Sequence, residues 1–184
     1  QLDAVAIGIG PGSYTGLRVG MAVAKTIAEV ANKPCLAIDS LLLPVLCLKE
    51  GPNRAVSIAD AQRGSIYEAI YDQNEAGFWQ RTQPPRIIPW KDLDRFASDT
   101  STIITGPGLS LAAKLGRLSG KITDEEFWQP DIKAMETLLQ YYLETCPEVD
   151  RYRIEPLYIR PSAAEEKRDA QSAAAVSSNR LSQP

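Results

Sequence analysis

Residues 3–16 read DAVAIGIGPGSYTG, and this stretch decides the fold. After Asp3 the side chains up to Ile9 are small and apolar, with no polar alternation. Such a run over 3–9 suits a strand buried on both faces, as in a parallel sheet. Gly10, Pro11 and Gly12 turn the chain, and Ser13 is placed to cap a helix. That helix is predicted over Tyr14–Ala31, with Asn32 and Pro34 as its stop signals. Cys35–Asp39 reads as a second strand, giving a βαβ unit with a right-handed crossover. Residues 35–39 supply one neighbour for the first strand. Its other edge is expected to be covered by a segment or chain outside this sequence, leaving the first domain incomplete here.

The predicted helix carries Gly16, Gly20, Ala24 and Ala28 at every fourth position, a stripe of small side chains along one slowly drifting face. Val19, Val23, Ile27, Val30, Leu17 and Met21 flank it, and only Arg18, Lys25 and Glu29 mark a polar face. The helix therefore has apolar surface for a sheet and more besides. Burial within its own domain and contact with another chain both satisfy this pattern.

Further on, Ser40–Glu50 is predicted as a short helix ended by Gly51 and Pro52. Strands are predicted at Ala55–Ala59, Ser65–Asp72 and near Phe78–Gln83, forming an antiparallel meander. Within the second, Tyr67 and Tyr71 share one face, Ile66 and Ile70 the other. A short helix is expected over Trp90–Ala97, a strand over Ser101–Thr105 and helices over Leu109–Leu118 and Ile132–Cys146. Strand-Gly10-Pro11-Gly12-helix is echoed by strand-Gly106-Pro107-Gly108-helix, a faint internal repeat. From Ser162 onward large apolar residues almost vanish, and 161–184 is expected to be a disordered tail.

Composition narrows the chemistry. Among 184 residues, 44% are hydrophobic and 23% charged, which are globular proportions. There is no histidine, which removes Ser-His-Asp and Cys-His catalysis and histidine-ligated metal sites. Cys35, Cys47 and Cys146 are sparse and form no CxxC, so they read as small core hydrophobes in a reducing compartment. A net charge of −3 gives no basic footprint for stand-alone nucleic-acid binding. The longest apolar run, Leu41–Leu48, is broken by Pro44 and too short to span a bilayer.

The glycine-rich turn fails the specific nucleotide-loop tests. A GxGxxG pattern meets Ser13 or Thr15 where it needs glycine or alanine, and Gly16 is followed by Leu17-Arg18 instead of Lys-Ser. Asp39 and Asp60 end predicted strands, where ligand groups often sit in α/β folds. Turn or cap chemistry is the preferred reading for both.

Residues 6–20 (AIGIGPGSYTGLRVG), followed by Ala22-Val-Ala-Lys25, resemble the signature segment of the bacterial TsaB (YeaZ) family. Residues 58–67 (IADAQRGSIY) resemble its second motif. Gly106-Pro-Gly108 and 156–161 (PLYIRP) are similar to later landmarks. Gln62 stands where that family usually has a basic residue, and Ser65 where an acidic one is frequent. The family's N-terminal hairpin and first helix have no counterpart here. The resemblance covers about residues 3–160. It implies an α/β fold of the actin-like ATPase (sugar kinase/Hsp70/actin, ribonuclease-H-like) class. Residues 1–52 would be a remnant of the first lobe and 53–160 a reduced second lobe.

It also implies a non-catalytic, cytoplasmic scaffold or dimerization subunit in the making of threonylcarbamoyladenosine beside the tRNA anticodon. Its partners would be a TsaD-like catalytic subunit with metal-binding histidines and a TsaE-like ATPase, with a second copy of itself as the alternative occupant of the helix seam. Contact with tRNA would come only through the complex, with no membrane, no cofactor, no metal and no catalytic residue of its own. The family's partner contact is made by first-lobe helices, so the expected interface is Gly16, Gly20, Val23, Ala24 and Ile27. On that reading Gly20→Leu breaks association and leaves secondary structure intact. Two competitors stand beside it: a nucleotide-binding phosphotransferase of the same superfamily, and a fragment with no independent function.

Overall fold

A computed structural model describes residues 2–49, 51–96, 98–111, 121–130, 132–145 and 151–160. Strand β1 (Val5–Gly10) pairs in parallel with β2 (Cys35–Asp39), joined by helix α1 (Tyr14–Ala31). The helix and second strand thus have the predicted extents, while β1 starts two residues later and ends one residue later than the predicted 3–9. The Ser13 hydroxyl accepts the Gly16 N–H at 3.3 Å. Asn32 closes the helix in the left-handed region at φ 49°, its N–H reaching the Ala28 and Glu29 carbonyls. One expectation is corrected: β1 is not buried on both faces. Ala6 is exposed and Val5, Ile7 and Ile9 are half-buried, because β1 is an edge strand of a two-stranded sheet.

The second sheet is built on β3 (Arg54–Asp60), which runs antiparallel to β4 (Ser65–Gln73) and parallel to β7 (Thr102–Thr105). The long β4 carries two short partners. Its end pairs with β5 (Trp79–Arg81) and its start with β6 (Arg86–Pro89). Strand β8 (Lys121–Ile122) extends the β7 edge. Strands β6 and β8 escape prediction because four and two residues give too little pattern. Helix α2 (Ile132–Thr145) follows the expected span. The expected 90–97 helix is a 3-10 segment, Trp90–Phe96. Most of the expected 109–118 helix, Cys146 and the 161–184 tail lie outside the described residues.

The expected helix over 40–50 is absent; turns and a short 3-10 segment, Val45–Cys47, take its place. Two causes are visible. The Ser40 hydroxyl accepts the Gly10 N–H at 3.1 Å and so caps nothing. Pro44 sits where a continuing helix needs an N–H donor.

Alternation along β4 divides the core. Tyr67 and Tyr71 face a cluster with Ile38, Leu41, Leu42, Val45 and Leu138. Ile66 and Ile70 face a second cluster with Val56, Ile58, Ile88, Leu93 and Ile104. A third, smaller cluster joins Met21, Ala24 and Ala28 of α1 to Cys35 and Ile154. The chain therefore leaves the first sheet after Asp39, and Ile38, Leu41, Leu42 and Val45 pack on the second.

Candidate functional site

Two features of the βαβ unit merit a functional reading: the cleft at its glycine turn, and the outer face of α1. In the cleft, Gly10 has φ 111°, and a Cβ there would lie 3.0 Å from Leu17 Cδ1 and 3.2 Å from the Leu157 carbonyl. Only glycine fits that close approach. The chain then enters α1 with Tyr14 and Arg18 on its first turns. Tyr14 packs on Tyr158 with ring centroids 4.9 Å apart, and the Arg18 guanidinium lies 4.2 Å from the Tyr14 ring centre. Arg18 Nε also donates to the Tyr158 hydroxyl at 3.1 Å.

The opposite wall is the β3–β4 turn. Asp60 Oδ1 accepts the Gln62 N–H at 2.6 Å, which ties the turn locally. Gln62, Arg63 and Gly64 then all take positive φ, at 63°, 53° and 73°. The Arg160 guanidinium donates to the Ala61 carbonyl, so the 156–160 segment bridges both walls. Between them lies a cleft of about 410 Å³ lined by Ser13, Tyr14, Asp60, Gln62, Tyr67 and Arg160 among others. Its polar groups are hydroxyls, one carboxylate, one amide and one guanidinium. The Ser13 hydroxyl is engaged as a helix cap, with no imidazole in the chain to activate it. Asp60 serves turn chemistry, as its sequence context suggests. Asp39 does not stay local, because its second carboxylate oxygen reaches Tyr71 and Arg81 of the second sheet. Among the described residues, no group of three or more cysteines and carboxylates could hold a metal ion.

The expected interface residues divide into two sets on α1. Val23 and Ile27 face outward and are 53% and 46% exposed. With Val19 (58%) and Val30 (84%) they form one aliphatic stripe at spacings of four, four and three. Gly16 is exposed at the N-terminal end of the same helix. Ala24 belongs to the inward set, 5% exposed and packed in the third core cluster. Gly20 also faces inward, since a Cβ there would lie 3.2 Å from Ile7 Cδ1 of β1. The small-residue stripe thus lets α1 lie close on its own sheet. The flanking aliphatic residues, visible in the sequence only as neighbours of that stripe, make the free surface.

Comparison with known proteins bears on what this arrangement belongs to. The family model for TsaD, tRNA N6-adenosine threonylcarbamoyltransferase, matches residues 1–78. The tRNA threonylcarbamoyladenosine biosynthesis protein TsaB of Bacillus subtilis is 32% identical over 92 residues, half of this chain and 40% of that protein. The protein of the same name from Escherichia coli is 27% identical over 174 residues, 91% of this chain and 74% of that protein. The chain is similar to the TsaB (YeaZ) family over most of its length. A solved Pseudomonas aeruginosa structure, described as similar to the peptidase YeaZ, superposes with a TM-score of 0.69 at 20% identity. It covers 86% of this chain and 74% of that one, and shows a shared fold. With the TsaD match over the βαβ unit, this places the TsaB-type architecture here in the actin-like ATPase superfamily. Segments 6–25 and 58–67 contribute Ser13, Tyr14, Asp60, Gln62 and Tyr67 to the two walls of the cleft.

Proposed function

We propose that this chain is a non-catalytic subunit that pairs through α1 with a TsaD-like transferase during synthesis of tRNA threonylcarbamoyladenosine. One observation carries the reading: Val19, Val23, Ile27 and Val30 present an uncovered aliphatic stripe along a helix whose other face is already packed. Burying such a stripe stabilises association by about 25 cal/mol per Å² of apolar area removed from water. The match to the TsaD family model over residues 1–78 supports a partner with a similar βαβ unit, since two like helices can pack face to face. Gly20 and Ala24 support the seam from beneath, by seating the helix on its sheet. Residues 1–52 act as the pairing lobe and 53–160 as a reduced second lobe. A TsaE-like ATPase and tRNA are met only within the complex. The chain's lack of histidine agrees with the metal chemistry residing in the partner.

Light scattering after size-exclusion chromatography tests this, on the chain alone and mixed with the TsaD of its own organism. A one-to-one complex is expected, and Val23→Asp should raise its Kd by at least about tenfold, or ~1.4 kcal/mol, with an unchanged circular-dichroism melt. A complex that survives both Val23→Asp and Ile27→Asp removes α1 as the seam. A dimer of the chain alone that the same substitutions dissolve makes the occupant a second copy. Saturable, tight binding of ATP or ADP with magnesium, followed by titration calorimetry, would instead favour the phosphotransferase reading and point to the cleft.

A further inference from the structure

Asp39 stands at the end of β2, the last residue of the first sheet. Its carboxylate is mostly sequestered, with a side-chain exposure of 13%. Oδ1 accepts the Leu41 N–H at 3.0 Å, an ordinary local turn. Oδ2 does something else. It accepts the Tyr71 hydroxyl of β4 at 2.8 Å and Arg81 Nη1 of β5 at 2.5 Å. Those donors lie 32 and 42 residues away, both in the second sheet. Tyr71 is 1% exposed, so its hydroxyl has no water to turn to if Asp39 is lost. Burial, then the charge and hydrogen bond of Asp39, push the Tyr71 phenol far above its ordinary range. The tyrosine therefore stays a donor at every pH the protein meets.

We propose that Asp39, Tyr71 and Arg81 form a latch that fixes the angle between the two sheets. The apolar packing around it, Ile38, Leu41 and Val45 against Ala69 and Tyr71, is non-directional and tolerates sliding. The latch is directional. One carboxylate oxygen with two donors from two strands sets distance and orientation together; both bonds are charge-assisted, and the Arg81 bond is an ion pair as well. On the far side of the junction, the 157–160 segment ties the sheets, with the Leu157 N–H donating to the Ile9 carbonyl and Arg160 to the Ala61 carbonyl. That segment is a strap held at both ends by backbone carbonyls, and it leaves rotation about its own line open. Asp39 closes that remaining freedom. The two sheets then move as one body, and the outer stripe of α1 is presented at a fixed attitude to the second sheet.

The test measures angle separately from stability. Spin labels on keto-bearing residues placed at the exposed positions Thr26 and Glu75 report the inter-sheet distance by pulsed electron resonance in the full chain. The parent should give one narrow distribution. Asp39→Ala should broaden or shift it, and Arg81→Gln, which leaves Tyr71 bonded and is milder, should do so to a smaller extent. Exchange of the Leu41 amide should rise by about an order of magnitude in Asp39→Ala, as loss of its acceptor implies. Combining Asp39→Ala with Arg81→Gln should add nothing to Asp39→Ala alone. An unchanged narrow distribution in Arg81→Gln and Asp39→Ala, whatever their melting temperatures, would overturn the latch and leave the cluster as local packing. Should Asp39→Ala not fold, Asp39→Asn with Arg81→Gln carries the same comparison.

Discussion

Gly106 shows how narrowly a single residue can be specified. It has φ 108°, and a Cβ at that position would fall 2.5 Å from the Ile58 carbonyl oxygen, closer than real Cβ atoms approach. Gly106→Ala therefore combines backbone strain with a clash against rigid backbone of the central strand. Its expected cost is roughly 3 kcal/mol, or on the order of 8 °C in Tm for a chain of this size. Gly77 has φ 81° with open space around it, so Gly77→Ala should cost only about 1 kcal/mol. Thermal melts of the two variants check the contrast, and equal losses would show that φ alone decides. Asp99 offers a residue-scale pH prediction. The Ser101 and Thr102 hydroxyls and the Ser101 N–H, at 2.5, 2.6 and 2.8 Å, hold its carboxyl below the usual carboxylate range. A depressed folded pKa means its contribution is present above the unfolded value and is lost as pH falls through the folded one. A carbon-detected NMR titration should place Asp99 below Asp in unfolded peptides, and Ser101→Ala should move it upward.

At the scale of elements, α1 tests which part of its apolar surface belongs to whom. Gly20→Leu and Ala24→Leu push side chains into Ile7 and the third core cluster, so each should cost about 1–3 kcal/mol of stability, read as a lower Tm. This departs from the expectation that Gly20→Leu breaks association and leaves secondary structure intact. Loss of partner binding without loss of stability at position 20 would restore it. The reason for the departure is geometric. Sequence periodicity gave the helix and its small stripe, but not its rotation about its own axis, and rotation decides whether that stripe or the flanking valines meet the sheet. The same limit explains what else was legible. Elements with strong punctuation, such as Ser13 and Asn32 around α1 or the alternation of Ile66, Tyr67, Ile70 and Tyr71 in β4, were readable residue by residue. The 40–50 segment was not, because the Ser40 hydroxyl is claimed by Gly10, thirty residues upstream. Nor was the role of Asp39, whose donors come from strands that no local pattern ties to it.

For the whole molecule, the question is whether the two sheets unfold together. The small first sheet has only a minor core of its own, centred on Met21, Ala24, Ala28, Cys35 and Ile154. A unit of this size is marginal alone. What it lacks is supplied by residues 38–45, which cross to the second sheet and bury Leu41, Leu42 and Val45 at 4% exposure or less. Detaching the first sheet would expose that cluster and leave the Tyr71 hydroxyl without its acceptor, so local unfolding has little to gain over global unfolding. The tryptophans make this measurable. Trp79, Trp90 and Trp128 all lie with the second sheet, beyond the first, so their fluorescence reports the second sheet and its packing. The 18-residue α1 is the longer of the two described α-helices, and its interior amides report the first sheet through hydrogen exchange. Across a urea series, the fluorescence midpoint and the midpoint of α1 amide protection should coincide, as one cooperative transition requires. Protection in α1 lost well before the tryptophan change would mean that the 38–45 crossing does not couple the sheets. Leu42→Ala should weaken both probes together, because the side chain it truncates belongs to the packing that both sheets share.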